Sequence, residues 1–190
     1  MNKSNTQKLA LLALLTALVA ILAYFGGFIK IGGLASVSLT LIPVVLGACY
    51  LGPQAGAILG GVSGIVFFLT PDAAFWMGMS IPGTIITVLV KGILSGLLAG
   101  FVFKALQNKN KHLAVLASSV VCPVVNTGIF LLGCLVFFLD NVKTSAAAEK
   151  MSIFAFLIIF YVGLNFVFEL IANVILSPVV YRVMDLKTKK

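Results

Sequence analysis

The chain has 190 residues, 61% of them hydrophobic and 9% charged, against roughly 45–50% apolar and about 25% charged residues in a soluble domain. A chain this short still exposes a large share of its surface after folding, so the apolar excess excludes a soluble globular fold and implies an all-α membrane protein. The net charge of +8, from 13 Lys+Arg against 5 Asp+Glu, would suit a nucleic-acid partner only if the basic residues shared one solvated surface.

They do not: the charges punctuate hydrophobic runs. At about 20 residues per crossing, those runs make six transmembrane helices in one integral membrane domain. The first, Leu9–Ile29, follows Lys3 and Lys8. It exceeds the roughly 7–15 residue core of a cleaved signal peptide and lacks a small-x-small cleavage site, so it reads as a retained helix. A loop of Gly, Ser and Lys30 over Gly26–Ser38 leads to the second span, Leu39–Leu51, which is short for a crossing. Gly52-Pro53 separates it from the third, Gln54–Leu69. A loop with Thr70, Pro71, Asp72 and Trp76 precedes the fourth span, Ile81–Phe103. The basic linker Lys104–His112 leads to the fifth, Leu113–Leu139, and the polar loop Asp140–Ser152 leads to the sixth, Ile153–Val183.

Six spans put both termini on one side, which the positive-inside rule makes cytoplasmic. That side then holds nine basic residues, Lys3, Lys8, Lys104, Lys109, Lys111, Arg182, Lys187, Lys189 and Lys190; three, Lys30, Lys143 and Lys150, lie outside, and Lys91 is left in the membrane. The +8 is therefore mainly a topology signal with some attraction to an anionic inner leaflet, and a nucleic-acid partner is set aside. Cys49, Cys122 and Cys134 all fall inside spans without C-x-x-C spacing, so they read as small buried residues and not as a metal site or disulfide framework.

Small residues recur at helical spacing. The third span carries Gly52, Gly56, Gly60 and Gly64, the fourth Gly92, Gly96 and Gly100, and such stripes let helix backbones approach closely in lipid. Packing within the bundle is the simpler reading of both. Ala10, Ala13, Ala17 and Ala20 line one face of the first helix, and on a peripheral helix that face serves equally as internal packing or as a docking surface for another membrane subunit.

Two ionisable residues lie deep in the spans, Lys91 and Glu169, and intramembrane charges mark functional sites. Lys91 precedes Lys104 by 13 residues, Glu169 precedes Arg182 by 13, and Asn126 follows Lys111 by 15. At about 1.5 Å per residue all three lie roughly 20 Å from the inner anchors, in one layer near the bilayer middle. Thr84, Thr87, Lys91 and Ser95 form a polar seam on the fourth span, with its glycines turned well around toward the other side. Asn165, Glu169 and Asn173 form a second seam on the sixth, with Tyr161 one turn above. A Lys91–Glu169 ion pair stapling the bundle is one reading. A water-accessible cavity for a small polar solute is the other, favoured by the ladder of uncharged donors and acceptors around the charges.

The sequence has no G-x-x-x-x-G-K-[ST], H-E-x-x-H, G-x-S-x-G or carboxylate-rich metal motif, and its single His112 sits in the basic linker. A membrane enzyme is disfavoured. A solute site without an energy module leaves a gradient-driven carrier, with Lys91 and Glu169 as its coupling pair, or the binding subunit of an ATP-driven machine.

Ala13-x-x-x-Ala17 in the first helix, the loop after it, Ile42-Pro43-Val44-Val45-Leu46-Gly47-Ala48, Leu51-Gly52-Pro53 and Gly56-Ala57, in a six-span chain of this size, resemble the substrate-binding S components of energy-coupling factor (ECF) vitamin importers. The resemblance is sharpest over Leu9–Gly64, and its strings are closest to the pantothenate and folate branch. It implies a scaffold membrane subunit (the T component) docked on the Ala10, Ala13, Ala17, Ala20 face, and two cytosolic ATPases that use ATP and magnesium, with no cofactor in this chain. It also implies residence in the plasma membrane of a Gram-positive bacterium, loops after the first, third and fifth helices covering an outward-facing site, and release of the cargo by toppling in the membrane.

Within that group Lys91 offers a fixed positive charge for a carboxylate, while Asn126, Asn165, Glu169, Asn173 and Thr87 offer bonds to hydroxyls and an amide. Pantothenate is the first choice; cobalamin, folate and hydroxymethylpyrimidine share most of these features. Trp76, beside Phe75, serves either as a lid on the outer mouth or as an interfacial aromatic anchor, and Tyr161 joins the site from the sixth span.

Overall fold

A computed structural model describes residues 3–26, 28 and 39–188, with side chains for 5–184 within those ranges. Lys30 and most of the first loop, Lys189 and Lys190, and the side chains of Lys3 and Lys187 lie outside the described residues. The described chain is helical: α1 Lys3–Gly26, α2 Leu41–Leu51, α3 Pro53–Phe67, α4 Pro71–Met79, α5 Ile81–Leu106, α6 Lys111–Phe137, α7 Leu139–Ala148, α8 Ile153–Phe156, a π-helical segment Leu157–Val162, and α9 Gly163–Thr188.

The boundaries follow local chemistry. Gly52 at φ +106° turns the chain between α2 and α3, a conformation available to a residue without a β-carbon, and Pro53 opens α3 where its missing N–H is not needed. Ser80, Asn110 and Ser152 each accept a bond from the backbone N–H three residues on, capping α5, α6 and α8. Thr70 is extended and its hydroxyl donates to the Phe67 carbonyl at 2.7 Å.

Two stretches expected as loops are largely helix. Residues after Thr70 form α4, bent 83° from α3: Pro71 can start a helix, and Ala73 and Trp76 bury against the bundle. The polar stretch after Leu139 forms α7, whose Val142 and Ala146 are buried although its other face is polar. The sixth hydrophobic run is also not one continuous α-helix: the π segment interrupts it and ends at Gly163, φ +48°.

The protein is a multi-pass membrane protein. Asn5–Gly26, Ile81–Leu106, Lys111–Phe137 and Ile153–Met184 are long and apolar enough to cross a bilayer, and α3 with α4 passes the same test as a bent pair. The expected second span is an 11-residue helix, about half a bilayer long at 1.5 Å per residue. Side chains such as Leu14, Leu69, Phe154 and Ile175 are more than 60% exposed, which in this setting means they face lipid.

The glycine stripes belong to the interior. Gly56 and Gly60 of α3 sit directly on Gly96 and Gly92 of α5, and Gly100 sits on Pro53, so the two helices touch backbone to backbone. Two apolar clusters hold the bundle. One gathers Leu15, Val19, Val44, Leu59, Phe103, Val115 and Val180 from α1, α2, α3, α5, α6 and α9. The other gathers Trp76, Cys134, Phe138, Val142, Phe156 and Tyr161 from α4, α6, α7, α8 and the π segment.

Candidate functional site

Bordered by both clusters is a cavity of about 110 Å³. From the fourth expected span, now α5, Thr84, Thr87, Lys91 and Ser95 reach it; α6 contributes Asn126, and α9 contributes Asn165 and Glu169. Three-and-four residue spacing explains this, since it keeps side chains on one helix face. Gly92 also lines the cavity, so the close-packed glycine stripe of α5 borders its polar face instead of lying across the helix from it.

Seven of the eight residues proposed from sequence share this one space: Lys91, Asn126, Asn165, Glu169, Thr87, Tyr161 and Trp76. Asn173 does not line it. One turn further along α9, its side-chain N–H donates to the Glu169 backbone carbonyl at 2.8 Å, so its amide is engaged in the helix. Trp76 is buried to 4% exposure and packs on Phe130, Phe138 and Tyr161, which is not the position of an interfacial anchor. Phe75 beside it is exposed and does not line the cavity.

Sequence reading missed Thr40, Ser63, Asp72 and Thr127, which also line the cavity. Ser63 donates to the Thr40 hydroxyl at 3.1 Å. Asp72 is 3% exposed; its only sequence signal was an acidic residue in the first turn of a proline-started helix, and α4 itself was not expected. The aromatic walls Phe67 and Phe130 carried no signal that separated them from the other 13 phenylalanines.

The electrostatics of the cavity centre on Lys91. Its Nζ lies over the Phe130 ring at 5.2 Å and the Phe67 ring at 5.9 Å from the centroids, within reach of a cation–π attraction. Among the described residues no ion pair joins Lys91 to Glu169, although both line the cavity, and no hydrogen bond is made by the Lys91 ammonium. Thr87 is 4% exposed, and its hydroxyl likewise makes no hydrogen bond among the described residues. By contrast, the Thr84 and Ser95 hydroxyls donate to the Ser80 and Gly92 carbonyls. The arrangement places a cation and a hydroxyl on the cavity wall inside a membrane protein.

A family model for the substrate-specific component of ECF transporters matches residues 7–183. The chain belongs to that family. No curated protein matches it, and no solved structure does. A substrate-specific (S) component binds cargo for a transporter and is not an enzyme. For this S component the cavity, a largely apolar space with a few polar groups, is the natural candidate for the cargo site, since concave sites with a few convergent polar groups are where small molecules bind. The alanine face of α1 lies elsewhere: Ala10, Ala13 and Ala17 are exposed and Ala20 is half-buried, while Leu15 and Val19 of the same helix are buried against the bundle.

Proposed function

We propose that this S component binds pantothenate and delivers it as part of an ATP-driven importer. The observation that carries the reading is the Lys91 ammonium, set on aromatic walls of the cavity and, among the described residues, without a salt bridge or hydrogen bond, although Glu169 and Asp72 line the same space. An intramembrane cation is costly, and a ligand carboxylate offsets that cost through a charge-assisted bond. Pantothenate carries one carboxylate, with hydroxyls and an amide along its length. Lys91 takes the carboxylate, Thr87, Asn126 and Asn165 bond the amide and hydroxyls, and Glu169 accepts from a hydroxyl. Trp76 and Tyr161 close the space over the cargo.

The rest of the reading extends the family membership. Nine basic residues against three support cytoplasmic termini and six crossings of one membrane domain, with α2 and the bent α3–α4 pair counted as spans. The exposed Ala10, Ala13 and Ala17 favour a scaffold T component docking on α1, because small side chains allow close backbone approach. Two cytosolic ATPases supply the energy with ATP and magnesium, and toppling of the docked subunit in the plasma membrane of a Gram-positive bacterium brings the site to the inside.

Mass spectrometry of small molecules that co-purify with the chain, followed by titration calorimetry with pantothenate, tests this. Pantothenate is expected in the preparation and in the titration. Recovery of folate, cobalamin or hydroxymethylpyrimidine instead overturns pantothenate and keeps the S-component role, whereas concentrative uptake by the chain alone in vesicles replaces the importer reading with a solitary carrier.

A further inference from the structure

We propose that Phe130 is a positioning residue that couples the state of Lys91 to helix α4 and the π segment through the Trp76 indole. The proposal rests on the reading of Lys91 as the carboxylate contact. The Lys91 ammonium lies 5.2 Å from the Phe130 centroid. The Phe130 ring in turn meets Trp76 at 5.2 Å, nearly perpendicular at 86°, and Trp76 meets Tyr161 at 5.1 Å. The contacts thus run without a gap from α5 through α6 to α4 and on to the π segment.

Two members of this chain of contacts sit at irregular backbone. Trp76 sits on a helix bent 83° from its neighbour, and Tyr161 lies in a π-helical stretch that ends two residues later at the left-handed Gly163, the type of irregularity that concentrates at functional sites. The ammonium is drawn to the negative face of the ring. A carboxylate arriving at Lys91 competes for that charge, so the ring loses its cation and repacks against Trp76. Emptying the site restores the ring to Lys91. Phe130 therefore both holds Lys91 at the cavity wall and reports its occupancy to the elements that cover the cavity.

Trp76 is the chain's single tryptophan, so its emission reads this contact directly. In the purified full chain without ligand, Lys91→Met and Phe130→Leu are each expected to shift the Trp76 emission, and Lys91→Met is expected to cause no further shift in the Phe130→Leu background. Phe130→Tyr, which keeps the ring, retains the response to Lys91→Met. Additive shifts in this cycle overturn the proposal whatever the cargo is, and Phe130→Met serves in the cycle if Phe130→Leu fails to fold. With pantothenate added, Phe130→Leu is expected to lose the emission change on binding. A normal emission change in that variant also overturns the proposal. Failure of the unmodified chain to bind pantothenate refutes the proposed cargo, and the ligand-free cycle then decides the role of Phe130.

Discussion

Replacing Gly60 with alanine tests whether the α3–α5 contact supports the cavity. A β-carbon at Gly60 would run into the Gly92 carbonyl oxygen and lie 2.6 Å from its carbonyl carbon and 3.3 Å from the Ile93 nitrogen. All three are backbone atoms of α5, so no side chain can turn aside and the helices must part by about 1 Å to regain ordinary contact. Overpacking costs about 1–3 kcal/mol, and a backbone obstacle puts this case near 3. Alanine's advantage over glycine inside a helix, about 1 kcal/mol, leaves a net loss of about 2 kcal/mol. Because Gly60 and Gly92 both line the cavity, pantothenate affinity is expected to fall as well. Gly128→Ala in α6 is the matched control: no atom lies within 4 Å of its added carbon, so helix propensity is the only change and stability should hold or rise. Thermal unfolding of both purified variants, with calorimetric titration, reads the two effects. Equal stability of Gly60→Ala and Gly128→Ala would refute the reasoning.

Lys91→Met is expected to weaken binding of pantothenate by about 10- to 100-fold, the worth of one charge-assisted contact; unchanged affinity in a folded variant removes Lys91 from the site. Asn173→Ala removes a bond to the Glu169 carbonyl, so it should lower stability by about 1 kcal/mol and change affinity by less than about threefold, and a large loss of affinity with normal stability would contradict that assignment. Ala13→Leu and Ala17→Leu fill an exposed face of α1 and should leave vitamin binding intact while blocking co-purification with a scaffold subunit, so loss of vitamin binding in either variant would point to internal packing.

The polar seam of α5 was legible because Thr84, Thr87, Lys91 and Ser95 recur at helical spacing in an apolar run, where few residues compete for attention. Depth counting from Lys104, Lys111 and Arg182 brought Asn126 and Glu169 to the level of Lys91, and all three line one cavity. The same spacing rule also included Asn173, since periodicity gives a face but not where along the helix a cavity stops. Asp72 and the fold of α4 were out of reach for a different reason. Pro71-Asp72 reads as turn chemistry in isolation, and only packing of Trp76 and Ala73 against the bundle makes a helix of that stretch.

Composition and the spacing of charges, read alone, determined that this protein lives in a bilayer, where its long apolar helices run and which few polar residues are candidates for a site, because in lipid every polar side chain is an exception with a cost. Only the tertiary structure decided that the glycine stripes face each other, that Lys91 lies over the Phe130 and Phe67 rings, and that α4 brings Asp72 and Trp76 to the cavity. These are contacts between residues far apart in the chain, and helical periodicity holds no information about which face meets which.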